Sequence, residues 1–390
     1  MSFTPIQDRI EYGGALIGEE EKAAINRVID SQGGRRWTLG PESEAFENEL
    51  AKTAGVDHAV VTNSGSSALL LAIAALQLPK GSKIIIPAVN FPTAFNAIIQ
   101  NGHVPVLIDA DGESLNLSLT QVKKAIEQIP DIQAVIAVDI AGNPVDLEAL
   151  RDIVGEGRSI ILDNCDGFGT LLNGEMIDQY ADVSCVSFHA AHIITTGEGG
   201  AILTNDVSVA EVAHKLREWG RASGTDAIYE YPGFPDDYKE RYVYEEIGYN
   251  LKPLELQCAM GRVQLRKLAA FRATRAINFD IMSRIFADNG NFQTVKTVPG
   301  AEPCWFSFPF LCRGIKRMEL SQLFEQNNIE TRTIFSGNVL KHPAYRDTDF
   351  IQVGHLHNAN DIMENGMFLS VHPSLTSAMF TFIREVVESV

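Results

Sequence analysis

Residues 181–204 read ADVSCVSFHAAHIITTGEGGAILT. Two short apolar runs, residues 183–188 and 201–204, read as buried strands. The segment between them holds His189, His192, Thr195, Thr196 and Glu198, punctuated by Gly197, Gly199 and Gly200. Glycine admits torsions and close approaches that other residues resist. Open α/β sheets place their chemistry on loops that leave the carboxyl ends of strands.

Working outward, apolar runs at 58–62, 83–87, 104–108, 133–139 and 159–163 read as further strands. Helical patterns at 18–30, 42–54, 68–76, 93–100, 118–128 and 146–153 alternate with them, and residues 36–41 read as a loop. This alternation predicts an α/β fold, a mostly parallel sheet with helices on both faces. Downstream, 205–219 reads as a helix, and 253–284 as a long helical pattern broken near Phe271. Strands at 294–298 and 305–311, with helices at 319–327, 358–365 and 376–387, suggest a smaller α+β domain. The expected division is a large domain over 1–260 and a small one over 261–390. Residues 221–249 are polar, aromatic and broken by Gly and Pro. A loop that long inside a compact domain is usually functional or interfacial.

The chain has 390 residues, a formal net charge of −18, and 45% hydrophobic and 21% charged residues. The charge disfavours a nucleic-acid backbone as partner. It leaves room for an anionic substrate in a local basic pocket. The start, MSFTPIQDRIEYGG, shows no apolar signal region, and no run is long and apolar enough to span a membrane. A soluble cytoplasmic protein is the expectation. Cys165, Cys185, Cys258, Cys304 and Cys312 are odd in number and scattered, which argues against a disulfide framework or a structural zinc site. Ser64-Gly65-Ser66 stands between a strand and a helix start, where a phosphate or a serine N-cap both fit.

Ser187-Phe188-His189-Ala190-Ala191-His192-Ile193-Ile194-Thr195-Thr196-Gly197-Glu198-Gly199-Gly200 resembles the lysine motif of the DegT/DnrJ/EryC1/StrS sugar aminotransferases, which are fold-type I pyridoxal phosphate enzymes. His192 stands where that family carries its lysine. This departure resembles the sugar 3-dehydratase branch, whose members act on GDP-4-keto-6-deoxy-mannose or CDP-4-keto-6-deoxy-glucose. Family-like segments recur from about Trp37 into the C-terminal region.

The resemblance implies pyridoxal or pyridoxamine phosphate as cofactor, with Gly65, Ser66 and Ser187 at its phosphate. Asp163 ends an apolar strand and would pair with the protonated ring nitrogen, keeping the ring an electron sink; a turn or N-cap role is the plainer alternative. Asp166 falls where relatives often carry Gln or His against the ring. Phe91 aligns with the aromatic that stacks on the ring, or is simply core. Gly248-Tyr249-Asn250-Leu251-Lys252 resembles the family's Gly-Tyr-Asn-x-Arg, implying that Asn250 reaches the cofactor phosphate of a neighbouring subunit in a homodimer. As a residue alone, Asn250 reads as a helix cap. His189 would line the sugar pocket. Glu330 and Arg332 lie in a segment like the family's substrate-side loop, where Arg332 meets a diphosphate or forms a surface ion pair. Trp305 reads as core.

His192 sets the expected reaction. Imidazole has no primary amine and cannot make the covalent link that a lysine makes to the cofactor aldehyde. It titrates near neutrality and can move protons. The resemblance therefore implies loss of the C3 hydroxyl from a nucleotide-linked 4-keto-6-deoxy sugar, with His192 as acid/base. Aminotransfer, or a non-catalytic cofactor-binding role, is the alternative. CDP-type relatives carry an iron–sulfur cluster, mostly on cysteines in the loop before Gly-Tyr-Asn. This chain has no cysteine between Cys185 and Cys258, which argues against a cluster bound that way, whereas Asp163-Asn164-Cys165-Asp166 and Gly248-Tyr249-Asn250-Leu251-Lys252 resemble the CDP-type text; turnover by glutamate as amino donor is the simpler expectation, with an external reductase as the alternative.

Overall fold

The computed structural model describes residues 3–5, 7–32, 37–287 and 289–390. Arg36, which opens the loop expected at 36–41, lies outside them. In chain order the first elements are α1 (Glu19–Gln32), α2 (Pro41–Ala54), β1 (His58–Thr62), α3 (Gly65–Ala75), β2 (Lys83–Pro87), α4 (Pro92–Gln100), β3 (Val104–Ile108), α5 (Leu119–Gln128), β4 (Ile132–Val138), α6 (Leu147–Val154) and β5 (Ser159–Asp163). Then come β6 (Leu171–Leu172), β7 (Glu175–Met176), β8 (Val183–Ser187), β9 (Gly200–Thr204), α7 (Val207–Arg217) and α8 (Glu255–Phe286). The last are β10 (Phe292–Thr294), β11 (Ala301–Glu302), β12 (Ser307–Cys312), α9 (Arg317–Gln326), β13 (Arg332–Thr333), β14 (Ile351–Gln352), α10 (His357–Asn365), β15 (Gly366–Ser370) and α11 (Ser377–Glu388).

Eight strands form the central sheet in the order β1-β9-β8-β5-β4-β2-β3-β14. β9 runs antiparallel to both neighbours, and the other pairings are parallel. Strand periodicity sorts the apolar residues onto two faces. Ile84 and Ile86 join Val60, Ile136 and Ile161 in a core with α3, α4 and α7. Ile85 faces the other way, with Val106, Val135, Ile160 and Leu162, against α5 and α6. The expected α/β architecture is present, with both faces covered.

A second, antiparallel sheet has the order β10-β12-β15-β13. It packs on α8, α9 and α11 through Phe286, Phe308, Phe310, Phe324 and Ile383. Trp305 is buried there, its ring stacked 3.7 Å from that of Phe279. β14 returns to the edge of the large sheet beside β3, and near the N-terminus Ile10 bridges to Ile329.

Three expectations need correction. α8 is unbroken at Phe271 over its 32 residues; no proline interrupts it, and its contacts with α1, α2 and α11 hold it along its length. The strand expected at 294–298 is the shorter β10, because Asn143 draws the chain aside: its Nδ2 donates to the Lys296 carbonyl at 2.9 Å and its Oδ1 accepts from Thr297 Oγ1 at 2.7 Å. The helix expected over 205–219 starts after the Asp206 cap and ends at Arg217, and Trp219 adopts a φ of 61°.

α8 also supplies what α2 lacks. The N-cap of α2 is Gly40, which has no side chain to accept its free N–H groups. The buried Glu255 carboxylate accepts instead from the N–H groups of Gly40, Glu42 and Ser43 at 2.8, 2.9 and 3.0 Å. Among the described residues no helix is long and apolar enough to cross a membrane. All five cysteines are free thiols.

Candidate active site

The carboxyl ends of β4, β5 and β8, the start of α3 and the segment after β13 enclose a cavity of about 500 Å³. Gly65, Ser66, Phe91, Asp163, Asp166, Ser187, His189, His192 and Arg332 all line it.

In the turn into α3 the serines take different places. Ser64 is the N-cap, its Oγ accepting from Ser67 N at 3.1 Å. Ser66 is exposed in the first helical turn. A Cβ on Gly65 would come within 2.7 Å of Ser187 Cβ and 2.9 Å of Cys165 Sγ. A Cβ on Gly200 would lie 2.5 Å from Gly65 N. The two glycines thus let the ends of β8 and β9 press against the start of α3. Ser187 is brought beside a helix N-terminus, whose dipole and free N–H groups favour a phosphate.

Phe91 precedes α4 with 53% of its surface exposed, against the edge of the Phe335 ring. Asp163, buried at the end of β5, accepts from Cys165 N at 3.3 Å. Burial raises its pKa, and the Cys165 contacts offset this in part. Next to it, Asp139 directly follows β4 and also lines the cavity. Asp139 Oδ1 accepts from Val145 N at 2.9 Å, while Oδ2 has no partner among the described residues. Its carboxyl is held well above the usual range by burial, despite the Val145 bond, and further by Asp178, Asp163 and Asp166. A phosphate at α3, a flat face at Phe91 and an acid at Asp163 fit a phosphorylated pyridine ring.

The loop carrying His192 is closed on itself. Phe188 N donates to the Gly199 carbonyl at 2.8 Å, and the Phe188 carbonyl accepts from Thr196 N at 2.9 Å and Thr195 Oγ1 at 3.0 Å. His192 Nε2 stands 3.7 Å from Asp166 Oδ1, and its ring meets the Phe306 ring edge-on. Burial pushes the His192 pKa down to about 4, with His189 and Arg275 acting the same way and the Ser187 carbonyl opposing. Burial and the neighbouring Asp163 push Asp166 up to about 8, against the Ala141 N–H and Arg275. Burial thus favours the uncharged form of both groups.

At the cavity wall the Arg332 guanidinium lies 4.4 Å above the Tyr12 ring and pairs with Glu330. Glu330 also accepts from Tyr12 N at 3.0 Å and has Arg9 at 3.6 Å. Burial would raise its pKa, but these donors hold it below the usual range. Arg332 thus both lines the cavity and forms an ion pair. Glu330 itself is not on the lining. Asn250 is also off it, exposed, with its Oδ1 accepting from Lys252 Nζ at 2.7 Å.

The sequence reading did not single out Tyr12, Asp139 or Phe306, all on the lining. Asp139 carries the signal that marked Asp163, an acid ending an apolar strand. Tyr12 and Phe306 arrive from distant segments, and no local pattern marks them.

Sheet order, cavity position and the buried acid at the end of β5 define a fold-type I enzyme scaffold. The chain belongs to the DegT/DnrJ/EryC1/StrS aminotransferase family, whose model matches residues 16–390. It is 31% identical to dTDP-4-dehydro-2,6-dideoxy-D-glucose 3-dehydratase of Saccharopolyspora spinosa, over 96% of this chain and 85% of that one. Its structure resembles E. coli GDP-4-keto-6-deoxy-D-mannose-3-dehydratase with bound hydrated PLP, at TM-score 0.90 and 29% identity over 97% and 100% of the two chains. A GDP-4-keto-6-deoxymannose-3-dehydratase with a trapped PLP-glutamate geminal diamine matches at TM-score 0.89 and 28% identity, with the same coverage.

Proposed function

We propose that this protein is a pyridoxamine-phosphate-dependent 3-dehydratase of a nucleotide-linked 4-keto-6-deoxy sugar. The carrying observation is His192, which lines the cavity from a motif whose family residue is lysine, with burial favouring its uncharged form. The cofactor, when bound, supplies an amine for the C4 ketone and a ring that accepts the electrons left by deprotonation.

The protein's own groups do the rest. Ser66, Ser187 and the start of α3 would hold the phosphate. Asp163 would keep the ring nitrogen protonated, and Phe91 would cover the ring face. With the cofactor and sugar bound, His192 Nε2 would be the group that takes up a proton and returns one, and Asp166, 3.7 Å away with burial favouring its protonated form, would be placed to exchange a proton with it. Phe306 shields the imidazole from water. His189 and Arg332 face the sugar nucleotide, with Glu330 holding Arg332. Asn250, turned away from its own cavity, completes the site of a second copy in a homodimer.

With glutamate as amino donor, the net change is sugar nucleotide plus glutamate to the 3-deoxy product, 2-oxoglutarate and ammonia. The absence of cysteine between Cys185 and Cys258 supports this route over a resident cluster.

The test compares wild type with His192→Lys, using glutamate and a panel of 4-keto-6-deoxy sugar nucleotides, by product mass and ammonia release. Wild type is expected to remove the C3 oxygen and release ammonia, and His192→Lys to lose both. A 4-aminosugar from the wild type would instead make the protein an aminotransferase, and inertness with tight cofactor binding would make it a non-catalytic binder.

A further inference from the structure

His192 also lines a second, far smaller cavity of about 10 Å³, with Thr195, Gln264, Arg275 and His372 among its walls. That volume is at the lower end of what a single water needs, and such a water requires two to four polar partners. The walls offer them. Arg275 on α8 is 1% exposed, and its Nη1 donates to the carbonyls of Trp305 and Phe306 at 3.1 and 2.9 Å. It makes no ion pair among the described residues. Its Nε and the Nδ1 of His192 are both buried without a hydrogen-bond partner among those residues. An arginine has donors only, and a neutral imidazole has one donor and one acceptor.

These facts bear on the tautomer. If Nε2 accepts a proton from the main cavity, the neutral ring carries its own hydrogen on Nδ1. That N–H needs an acceptor, and Arg275 offers none. A water oxygen has two lone pairs, one for each donor. Its hydrogens can go to Gln264 Oε1, which so far accepts only weakly from Thr195 N at 3.3 Å, and to the Gly14 carbonyl, which accepts from His372 Nε2 at 2.9 Å.

We propose that this chamber holds one ordered water accepting from both Arg275 Nε and His192 Nδ1, which makes Arg275 a positioning residue that fixes His192 with its basic nitrogen toward the main cavity. The tautomer, like the use made of Nε2, rests on the dehydratase reading; the water does not. The other charged or titratable groups facing the ring are His189, Asp166 and, across the chamber, His372.

The test uses the full chain with ¹⁵N-labelled histidine. Long-range ¹H–¹⁵N correlation separates the two neutral tautomers, and His192 is assigned by the signal lost in His192→Gln. Wild type at neutral pH is expected to show His192 protonated on Nδ1, and folded Arg275→Met to show a shift toward Nε2–H. A high-resolution crystal structure is expected to show one peak within hydrogen-bond distance of both nitrogens. A wild type already in the Nε2–H form, an empty chamber, or an unchanged tautomer in folded Arg275→Met would each overturn the proposal. The first two need no variant to fold.

Where dehydration is observed, Arg275→Met is expected to lower kcat by about 10²-fold with little change in KM. It should also move the acid limb of the pH profile upward. Arg275→Lys, which keeps the charge, should leave that limb in place. If no dehydration is found in wild type, the function fails while the crystal structure still decides the water site and the correlation spectrum the tautomer.

Discussion

Asp166→Asn keeps the shape of a buried acid and removes its titration. In the folded protein Asp166 takes up its proton with a pKa of about 8, against an ordinary value of 3.8. Between those values the folded state holds a proton that the unfolded state has released. Its contribution to stability is therefore full below about pH 4 and declines as pH rises toward 8. The decline is about 1.4 kcal/mol per pH unit, or about 3–4 kcal/mol between pH 5 and pH 8. Urea unfolding of cofactor-free wild type and Asp166→Asn at both pH values measures it as a difference of differences. His372, pushed down to about 4, costs stability below its ordinary value of 6.5 in both proteins and cancels, while His192 touches Asp166, so the comparison is repeated in a His192→Gln background. The variant should gain about 3–4 kcal/mol relative to wild type on going from pH 5 to pH 8. A change under about 1 kcal/mol would refute the claim that burial favours the protonated form of folded Asp166.

Gly65→Ala should cost about 1–3 kcal/mol through its clash with Ser187 and Cys165, read as a lower melting temperature. It should also weaken pyridoxal phosphate binding at least tenfold by equilibrium dialysis, a loss of about 1.4 kcal/mol or more. Glu255→Ala removes the acceptor for three buried or half-buried N–H groups at the start of α2 and should cost about 3 kcal/mol in urea. Trp305→Ala, which strips the stack on Phe279, should cost about 3–5 kcal/mol by the same measurement.

The long-range architecture was legible where one residue type dominates a run. Ile84-Ile85-Ile86 or Ile160-Ile161-Leu162 can satisfy both faces of a covered sheet and little else. The two-residue strands β13 and β14 carry no such signal, since register and neighbours make them strands. His192 was legible because it interrupts a long motif at one position. Tyr12 and Phe306 were not, because tertiary contacts bring them to the site: Ile10 bridges to Ile329, and Phe306 N donates to the Ala141 carbonyl at 3.0 Å. The break imagined at Phe271 shows the opposite error, a local irregularity overridden by packing along α8.

The return of β14 to the large sheet has a consequence for synthesis. β3 pairs with β2 soon after it emerges, but among the described residues its other edge is matched by Ile351 and Gln352 of β14. On a ribosome moving at about 5–20 residues per second, the roughly 245 residues from Leu107 to Gln352 take about 12–50 seconds. Throughout that interval the nascent chain presents an open parallel edge, Val104 to Ile108, with unpaired backbone groups. That edge is a template for a neighbouring nascent chain on the same message. Holdase chaperones that cover this edge, or slow codons kept out of that interval, would then bear on the yield of native protein.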